Sequence, residues 1–368
     1  DIGMAYGTQS WGAIIAPFII GLIADRFFNA ERILGVLHLM GAALMYMLFT
    51  ANDVSSFYPY LLGYMLCYMP TLALVNSVSF NQLKDPASEF GKIRLWGTIG
   101  WIVAGLVISY VFSWDSQDSI ANGMLRNTFA MTALVSLVLG IYSFTLPATP
   151  PAAKGQAVSL RDILGLDAIA LLKDRNFLMF FVASVLICIP LAFYYSYANP
   201  FLTDIGVENA TGKMTIGQVS EVLFMLLLPV FLKRFGIKAT LLVGMLAWVI
   251  RYISFAFGDP NNSMLLLLMG IALHGICYDF FFVSGQIYTD HKAGDNVKSA
   301  AQGLITLATY GVGMLIGFAA AGHIVDAYTA IGSSPDWQTI WLIPAGFAAA
   351  VFVVYAMVFK NETLGDTK

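Results

Sequence analysis

The sequence predicts an all-α polytopic membrane protein, and three observations carry this prediction. Of the 368 residues, 58% are hydrophobic and only 11% are charged, whereas soluble domains carry about 25% charged residues. The apolar residues form stretches of about 20, the length at which an α-helix crosses the hydrocarbon core of a bilayer. Basic residues are concentrated in alternate connections between these stretches. This composition excludes an ordinary soluble domain, and no basic tract indicates a nucleic-acid partner.

Eleven apolar stretches are long enough to cross a membrane, and Pro, Gly, Asn and charged residues separate them. The predicted spans are 4–24, 33–51, 57–80, 94–113, 127–147, 177–202, 214–232, 239–257, 263–288, 299–325 and 337–359. The three cysteines, Cys67, Cys188 and Cys277, lie inside these spans. We therefore expect buried thiols, with neither a disulfide framework nor a metal site.

The lysine and arginine residues predict the orientation of the chain in the bilayer. Connections on one side carry fifteen of the nineteen, namely Arg26, Arg32, Lys84, Lys92, Lys154, Arg161, Lys173, Arg175, Lys233, Arg234, Lys238, Lys292, Lys298, Lys360 and Lys368. Connections on the other side carry Arg126 and Lys213, and Arg94 and Arg251 lie within or at the edge of spans. Because basic residues favour cytoplasmic connections, we expect a cytoplasmic C-terminus and a first span that starts outside.

An even number of spans with both termini inside needs one more helix before Asp1, which makes twelve. The cytoplasmic connection 148–176 then separates an N-terminal half, 1–147 with helices 2–6, from a C-terminal half, 177–368 with helices 7–12. Within the connection, LRDILGLDAIALLKD has helical periodicity and is expected to lie along the membrane surface. Six plus six helices around such a connection is the architecture of the major facilitator superfamily. A weak internal repeat, GLIADRFFNAER and FLKRFGIK, supports it.

Polar side chains inside spans are the candidates for a functional site, because they usually face a bundle interior or a cavity. In IRLWGTIGWIVAG, Arg94, Thr98 and Trp101 share one helical face and suit a polar aromatic ligand. Alternatively, Arg94 extends to the membrane interface and Trp101 packs against neighbouring helices.

In MTIGQVSEVLFMLLLP, Gln218 and Glu221 are three residues apart and could bind sugar hydroxyls, with Glu221 also able to carry a proton. Their alternative role is a structural bond between helices.

The stretch HGICYDFFFVSGQ places four polar residues inside one span. On a regular α-helix His274, Tyr278, Asp279 and Gln286 cover an arc of about 140°, wide enough to line a cavity. The alternative is that Asp279 pairs permanently with an arginine such as Arg251 and that His274 is a satisfied interior histidine.

A tyrosine-rich helix end, IPLAFYYSYANPF, adds further candidates. Pro190 and Pro200 indicate a bent helix, which favours a gating or ligand-stacking role for Tyr194 or Tyr195. Tyrosines near an interface are otherwise typical of the aromatic belt.

Several motifs in order resemble the bacterial nucleoside/proton symporters of the major facilitator superfamily. They are GYMLCYMPTLALVNSVSF, IRLWGTIGW, ILGLDAIALLKD, QVSEVLFMLLLPVFLKRFGIK, CYDFFFVSGQ, SAAQG and DWQTIWLIPAG. The resemblance covers about 14–359. It implies that the arginine and threonine of RxWGT, Arg94 and Thr98, line the nucleoside site, with Trp101 where the family has phenylalanine.

The resemblance also implies site residues in the C-terminal half. The QxSE motif matches Gln218 and Glu221, and the aromatic–aspartate pair matches Tyr278 and Asp279, with His274 where the family has tyrosine. One departure is that the seventh helix, which supplies two amide side chains in the family, carries Ala192 and Tyr195 at these positions.

The function implied is a proton-coupled nucleoside importer that works by alternating access around a site near the midplane. The base would stack on Trp101 or Tyr278, and Asp279 or Glu221 would bind the coupling proton. A transporter of another hydroxylated solute, such as a sugar, is the alternative. An intramembrane enzyme is more remote, since the chain has neither HExxH nor GxSxG. We expect no cofactor beyond the proton, no metal, and a monomer among the lipids of a bacterial inner membrane.

Overall fold

The computed structural model describes residues 2–19, 27–83, 86–151 and 166–362, and every regular element within them is a helix. The α-helices are α1 Ile2–Ile19, α2 Ala30–Thr50, α3 Val54–Gln82, α4 Pro86–Leu106, α5 Gln117–Ala121, α6 Asn127–Ser143, α7 Arg175–Asp204, α8 Ala210–Phe257, α9 Met264–Ala272, α10 His274–Cys277, α11 Ser284–Thr306, α12 Met314–Ala327 and α13 Trp337–Val358. Three π-helical segments are Val107–Val111, Tyr278–Val283 and Leu307–Gly313, and 3₁₀ segments are Met124–Arg126 and Leu166–Lys173.

The predicted membrane architecture is confirmed, since each predicted span overlaps a helix. Among the described residues, eight helices are long and apolar enough to cross a membrane, and a shorter apolar helix covers Leu95–Val111. Helix α8 contains two predicted spans, because its backbone turns at Gly236. The φ of 76° at Gly236 lies in the left-handed region, which glycine adopts without steric cost.

Only part of the predicted surface helix in the central connection lies within the described residues. That part, Leu166–Lys173, is a 3₁₀-helix. Asp174 then ends the connection by accepting a hydrogen bond from the backbone N–H of Phe177 at 2.8 Å, which caps α7. Asp53 caps α3 and Asp336 caps α13 in the same way, at 2.9 and 3.2 Å.

The largest hydrophobic core lies in the C-terminal half, between α7, α8 and α13. Trp248 and Trp341 are fully buried there, and the ring of Tyr252 stacks on Trp341 with centroids 5.7 Å apart. Outward-facing residues such as Val138 and Met357 are apolar and exposed, as expected for side chains that meet lipid. The C-terminal half is therefore closely packed behind the site described below.

The two halves pack closely at one end of the bundle, where α7 ends and α8 begins. We call this the far end, and we call the end where α7 begins and α13 finishes the basic end. At the far end a Cβ on Gly3 of α1 would lie 2.5 Å from the carbonyl oxygen of Phe318 in α12. A Cβ on Gly105 of α4 would lie 2.7 Å from Cγ2 of Thr215 in α8. At these two glycines the helices are too close for a larger residue, so α1 and α4 contact the other half directly.

A buried carboxylate joins the halves at the same end. Asp115, which is 3% exposed, accepts at Oδ2 from the hydroxyl of Ser109 at 2.6 Å and from the backbone N–H of Thr211 at 3.0 Å. The oxygen of Ser109 in turn accepts from the N–H of Gly212 at 2.6 Å. Both N–H groups belong to the first turn of α8, where backbone donors have no partner within the helix. The N-terminal half thus caps a helix of the C-terminal half.

Candidate functional site

A cavity of about 450 Å³ lies between the two halves. Its lining residues are Val75, Asn76 and Ser79 of α3, Ile93, Gly97, Thr98 and Trp101 of α4, Tyr195 of α7, Gln218 and Glu221 of α8, His274 of α10, and Tyr278 of the π-helical segment that follows. The volume is within the usual range of small-molecule sites, about 300–1,000 Å³. Ser79 belongs to the last turn of α3, so the cavity extends toward the basic end.

Seven of the nine residues predicted for the site line this cavity. They are Thr98, Trp101, Tyr195, Gln218, Glu221, His274 and Tyr278. Arg94 lies on α4 one turn before Thr98, and its side chain is outside the described part of the structure. Asp279 is fully buried and does not line the cavity. The structure brings these residues together, and their roles in binding stay predictions.

Close packing between α8 and α10 sets the position of Glu221. The hydroxyl of Ser220 donates to the carbonyl of Ala272 and accepts from the N–H of Gly275, the latter at 3.1 Å. A Cβ on Gly275 would lie 2.6 Å from the backbone nitrogen of Glu221. Because Gly275 allows this approach, Glu221 comes beside His274, which is the residue before Gly275.

His274 connects a buried arginine to the cavity. Its Nδ1 lies 3.3 Å from Nη1 of Arg251, and its Nε2 faces Oε2 of Glu221 at 3.8 Å. A guanidinium can only donate hydrogen bonds, so Nδ1 must be the acceptor and the ring carries a proton on Nε2, toward Glu221. The contact with Arg251 is expected of a histidine that is hydrogen-bonded inside the protein. The position on the cavity wall is expected of a histidine that contacts a ligand. His274 meets both descriptions.

Arg251 itself is fully buried, and an aromatic ring covers it. Its guanidinium carbon lies 3.2 Å from the ring centroid of Tyr194, and Tyr194 stacks on His274 with centroids 5.5 Å apart. A cation over an aromatic face is stabilised by the ring quadrupole. Tyr194 therefore supports the arginine from within the core, while Tyr195 turns to the cavity.

The π-helical segment Tyr278–Val283 changes which residues share a face. The predicted arc does not form, since only His274 and Tyr278 of its four residues line the cavity. A π turn holds more residues per turn than an α-helix and shifts the register of the residues that follow it, here Gln286. Tyr278 lines the cavity and its hydroxyl lies 3.4 Å from that of Tyr310. Asp279 points into the core, and Gln286 is exposed away from the cavity.

Helix α3 forms a wall of the site that the polar residues of the sequence did not predict. Asn76 and Ser79 are one turn apart on α3, and both line the cavity. Ser79 donates its hydroxyl to the carbonyl of Val75 at 2.8 Å. The available signal was an asparagine inside an otherwise apolar span, the same signal that identified Gln218.

Comparison with known families identifies the chain. The family model described as "Nucleoside H+ symporter" matches residues 1–364. The chain belongs to the nucleoside H⁺ symporter family. The resemblance inferred from its motifs is thereby confirmed.

Relatives of this symporter cover nearly all of the chain. It is 42% identical over 369 residues to the putative nucleoside transporter YegT of Escherichia coli K12, covering 98% of this chain and 86% of that protein. It is 35% identical over 377 residues to the xanthosine permease of the same organism, covering 98% and 87%. A crystal structure of a mutant of nucleoside transporter NupG matches with a TM-score of 0.87 and 31% identity, over 98% of this chain and 90% of that one.

Family membership and this structural match confirm the predicted class. The symporter is a multi-pass membrane protein with the major facilitator fold, and it is a transporter, not an enzyme. Of the interpretations left open by the sequence, the nucleoside symporter is supported over a transporter of another hydroxylated solute.

Proposed function

We propose that the protein imports nucleosides together with protons by alternating access, through the cavity between its halves. One observation carries the proposal: polar and aromatic side chains from both halves meet in one cavity of about 450 Å³. A solute held by both halves is what a rocking transporter requires, because moving one half against the other then changes its exposure.

The chemistry of the walls suits the two parts of a nucleoside. Gln218 and Glu221 present an amide and a carboxylate to ribose hydroxyls, and hydrogen bonds to a charged acceptor are the stronger kind. Trp101 and Tyr278 offer flat rings against which a base can stack. Arg94, whose backbone lies one turn from Thr98, would meet a carbonyl of the base.

The arrangement of the ends supports an inward-facing state. The far end is closed by hydrogen bonds from the N–H groups of Thr211 and Gly212 to Asp115 and Ser109, and the cavity extends the other way. Lysine and arginine are concentrated at the basic end, which favours placing it in the cytoplasm. On this proposal the C-terminus is cytoplasmic, and the protein lies in the bacterial inner membrane.

Glu221 and Asp279 are the candidates for the coupling proton. Glu221 lines the cavity and faces His274, so a proton on its carboxylate would change how it binds a hydroxyl. Asp279 is buried immediately after the cavity residue Tyr278. If the substrate binds more tightly when the carboxylate is protonated, then bound substrate must raise the affinity of that carboxylate for the proton. This reciprocity couples the two fluxes.

Uptake of labelled uridine and adenosine by cells that make the protein tests this function, with and without a protonophore. We expect accumulation that the protonophore abolishes; accumulation that survives it would reject symport.

The variants Glu221→Gln and Asp279→Asn identify the proton carrier. The variant of the carrier should no longer accumulate nucleoside against its gradient but should still let it equilibrate across the membrane. Glu208→Gln, at an exposed acid outside the cavity, is the matched control. Competition by free sugars but not by nucleosides would reject a nucleoside substrate.

A further inference from the structure

We infer that Asn76 of α3 recognises the amide edge of the nucleobase, the adjacent carbonyl and ring N–H of uracil and of oxopurines. The inference rests on the proposed function, because it assigns one contact within the same cavity. It makes α3 the helix that selects among bases, while α8 holds the sugar.

Asn76 lies on the α3 wall of the cavity, and its side chain is exposed. Within the described part of the chain, no hydrogen bond occupies its amide. Ser79, its neighbour on the same wall, already donates its hydroxyl to the backbone of Val75 at 2.8 Å. Asn76 is therefore the group on this wall whose donors and acceptor are open to a ligand.

The two halves contribute different chemical groups to the cavity. Its carboxylate, Glu221, belongs to α8 in the C-terminal half, together with Gln218. The N-terminal half contributes Trp101, which is 55% exposed and gives the cavity a large flat ring. A base that stacks on Trp101 lies against the N-terminal half, and its polar edge can then reach Asn76 on the neighbouring helix.

The carboxamide of Asn76 is chemically complementary to the amide edge of a base. A carboxamide presents one N–H donor beside one carbonyl acceptor in a single plane. The edge formed by a ring N–H and its neighbouring carbonyl presents the same pair in reverse order, so two parallel hydrogen bonds can form. A hydroxyl or an imidazole cannot match both positions at once. Asn76 and Gln218 are the amides among the described lining residues, and Gln218 lies one turn from Glu221, on the wall assigned to ribose.

This contact would also help the transport cycle. With the base held by α3 and the sugar by α8, the nucleoside bridges the halves and stabilises their approach at the basic end. A solute that lacks either part would bind one half only and would not favour the closed arrangement.

A binding cycle between protein and ligand tests the inference. Binding of uridine, 3-methyluridine and 2′-deoxyuridine to the purified full chain is measured by calorimetry, for the wild type, Asn76→Ala and Asn81→Ala. Methylation at N3 replaces the ring N–H by a methyl group, which also keeps the carboxamide away from the adjacent carbonyl, so both hydrogen bonds are lost. Two hydrogen bonds of about 0.5–1.5 kcal/mol each correspond to roughly tenfold in affinity. Asn81 is exposed on the same helix outside the cavity and is the matched control.

We expect the wild type and Asn81→Ala to bind uridine about tenfold more tightly than 3-methyluridine, and Asn76→Ala to bind both equally. Retained 3-methyluridine binding shows that this variant is folded. The nearly isosteric Asn76→Asp, which replaces the donor by a carboxylate, should weaken uridine at least as much as alanine does.

Three results would overturn the inference. They are equal losses for uridine and 3-methyluridine in Asn76→Ala, a wild type that does not distinguish the two ligands, and a loss that follows the 2′-hydroxyl instead of N3. In these cases uridine still binds the wild type, and the proposed function stands. A wild type that binds no nucleoside would overturn the proposed function itself.

Discussion

Replacing Asp115 with alanine should open the far end of the bundle. In the structure Oδ2 of this carboxylate accepts hydrogen bonds from the hydroxyl of Ser109 at 2.6 Å and from the N–H of Thr211 at 3.0 Å. The bond from Thr211 joins the two halves, since Ser109 belongs to the same half as Asp115. The N–H of Thr211 can bond to water once the halves separate. Removing the acceptor therefore penalises the closed state and leaves the open state nearly unaffected.

The size of the effect follows from the bond that crosses between the halves. A hydrogen bond to a charged group contributes about 1.5–3 kcal/mol, and a carboxylate at a helix N-terminus adds about 0.3–1 kcal/mol. Some relaxation is expected, so we predict a shift of about 2–3 kcal/mol, roughly 30- to 150-fold in the ratio of open to closed states. Asp115→Asn retains an acceptor and loses the charge, and it should shift the ratio by about 1 kcal/mol, roughly fivefold.

Electron-spin distance measurements between labels at Asn122→Cys and Glu208→Cys report this ratio, since one exposed position lies on each half at the far end. The three native cysteines are buried, which limits background labelling. The longer-distance population should grow from the wild type to Asp115→Asn to Asp115→Ala. Asp118→Ala, at an exposed aspartate three residues away, should leave it unchanged. If Asp115→Ala gives the same distribution as Asp118→Ala, the carboxylate does not hold the halves together.

Three further predictions follow from close contacts and from one cap. Gly212→Ala should open the same end, because its Cβ would lie 2.6 Å from an aromatic carbon of the other half; Gly346→Ala, with nothing within 4 Å, is the control in the same distance measurement. His274→Phe should destabilise the protein by about 1.5–3 kcal/mol, because buried Arg251 loses an acceptor; an unchanged Tm in detergent would contradict this. The pKa of Asp174 is lowered, chiefly by the backbone N–H that it caps and then by a nearby lysine. Its stabilising contribution is therefore present above the unfolded pKa of about 3.9 and is lost as pH falls through the lower folded pKa. Asp174→Asn should remove this acid-side loss in unfolding measurements from pH 5 to pH 2, and an unaltered pH profile would refute it.

The helices could be predicted from the sequence because the bilayer imposes its requirement on each segment separately. A backbone in lipid must satisfy its hydrogen bonds internally, so about 20 apolar residues imply a helix wherever they occur. The fusion of two spans in α8 was not visible in this way. Gly236 was one glycine among 33, and its positive φ follows from the turn that the packed neighbours impose.

The candidate site was predictable where its residues are polar groups inside apolar spans, because such groups cost free energy when they face lipid. Glu221 and His274 stand out in apolar spans because polar side chains within membrane helices are rare and usually functional. Asn76 carried the same signal, but spacing within α3 alone does not show that this helix faces α8. Asp279 carried the signal too, but as the residue directly after Tyr278 it lies on another face of the helix, buried and off the cavity wall.

By itself, the sequence determined which apolar segments are helical, the polar residues inside them and, through its motifs, the family. Each of these depends on neighbours along the chain, or on the solvent that every segment meets. Only the tertiary structure decided that α3 completes the cavity, that His274 joins Arg251 to Glu221, and that Asp115 caps a helix of the other half. These are contacts between residues far apart in sequence, and their geometry is set by how closely the helices pack.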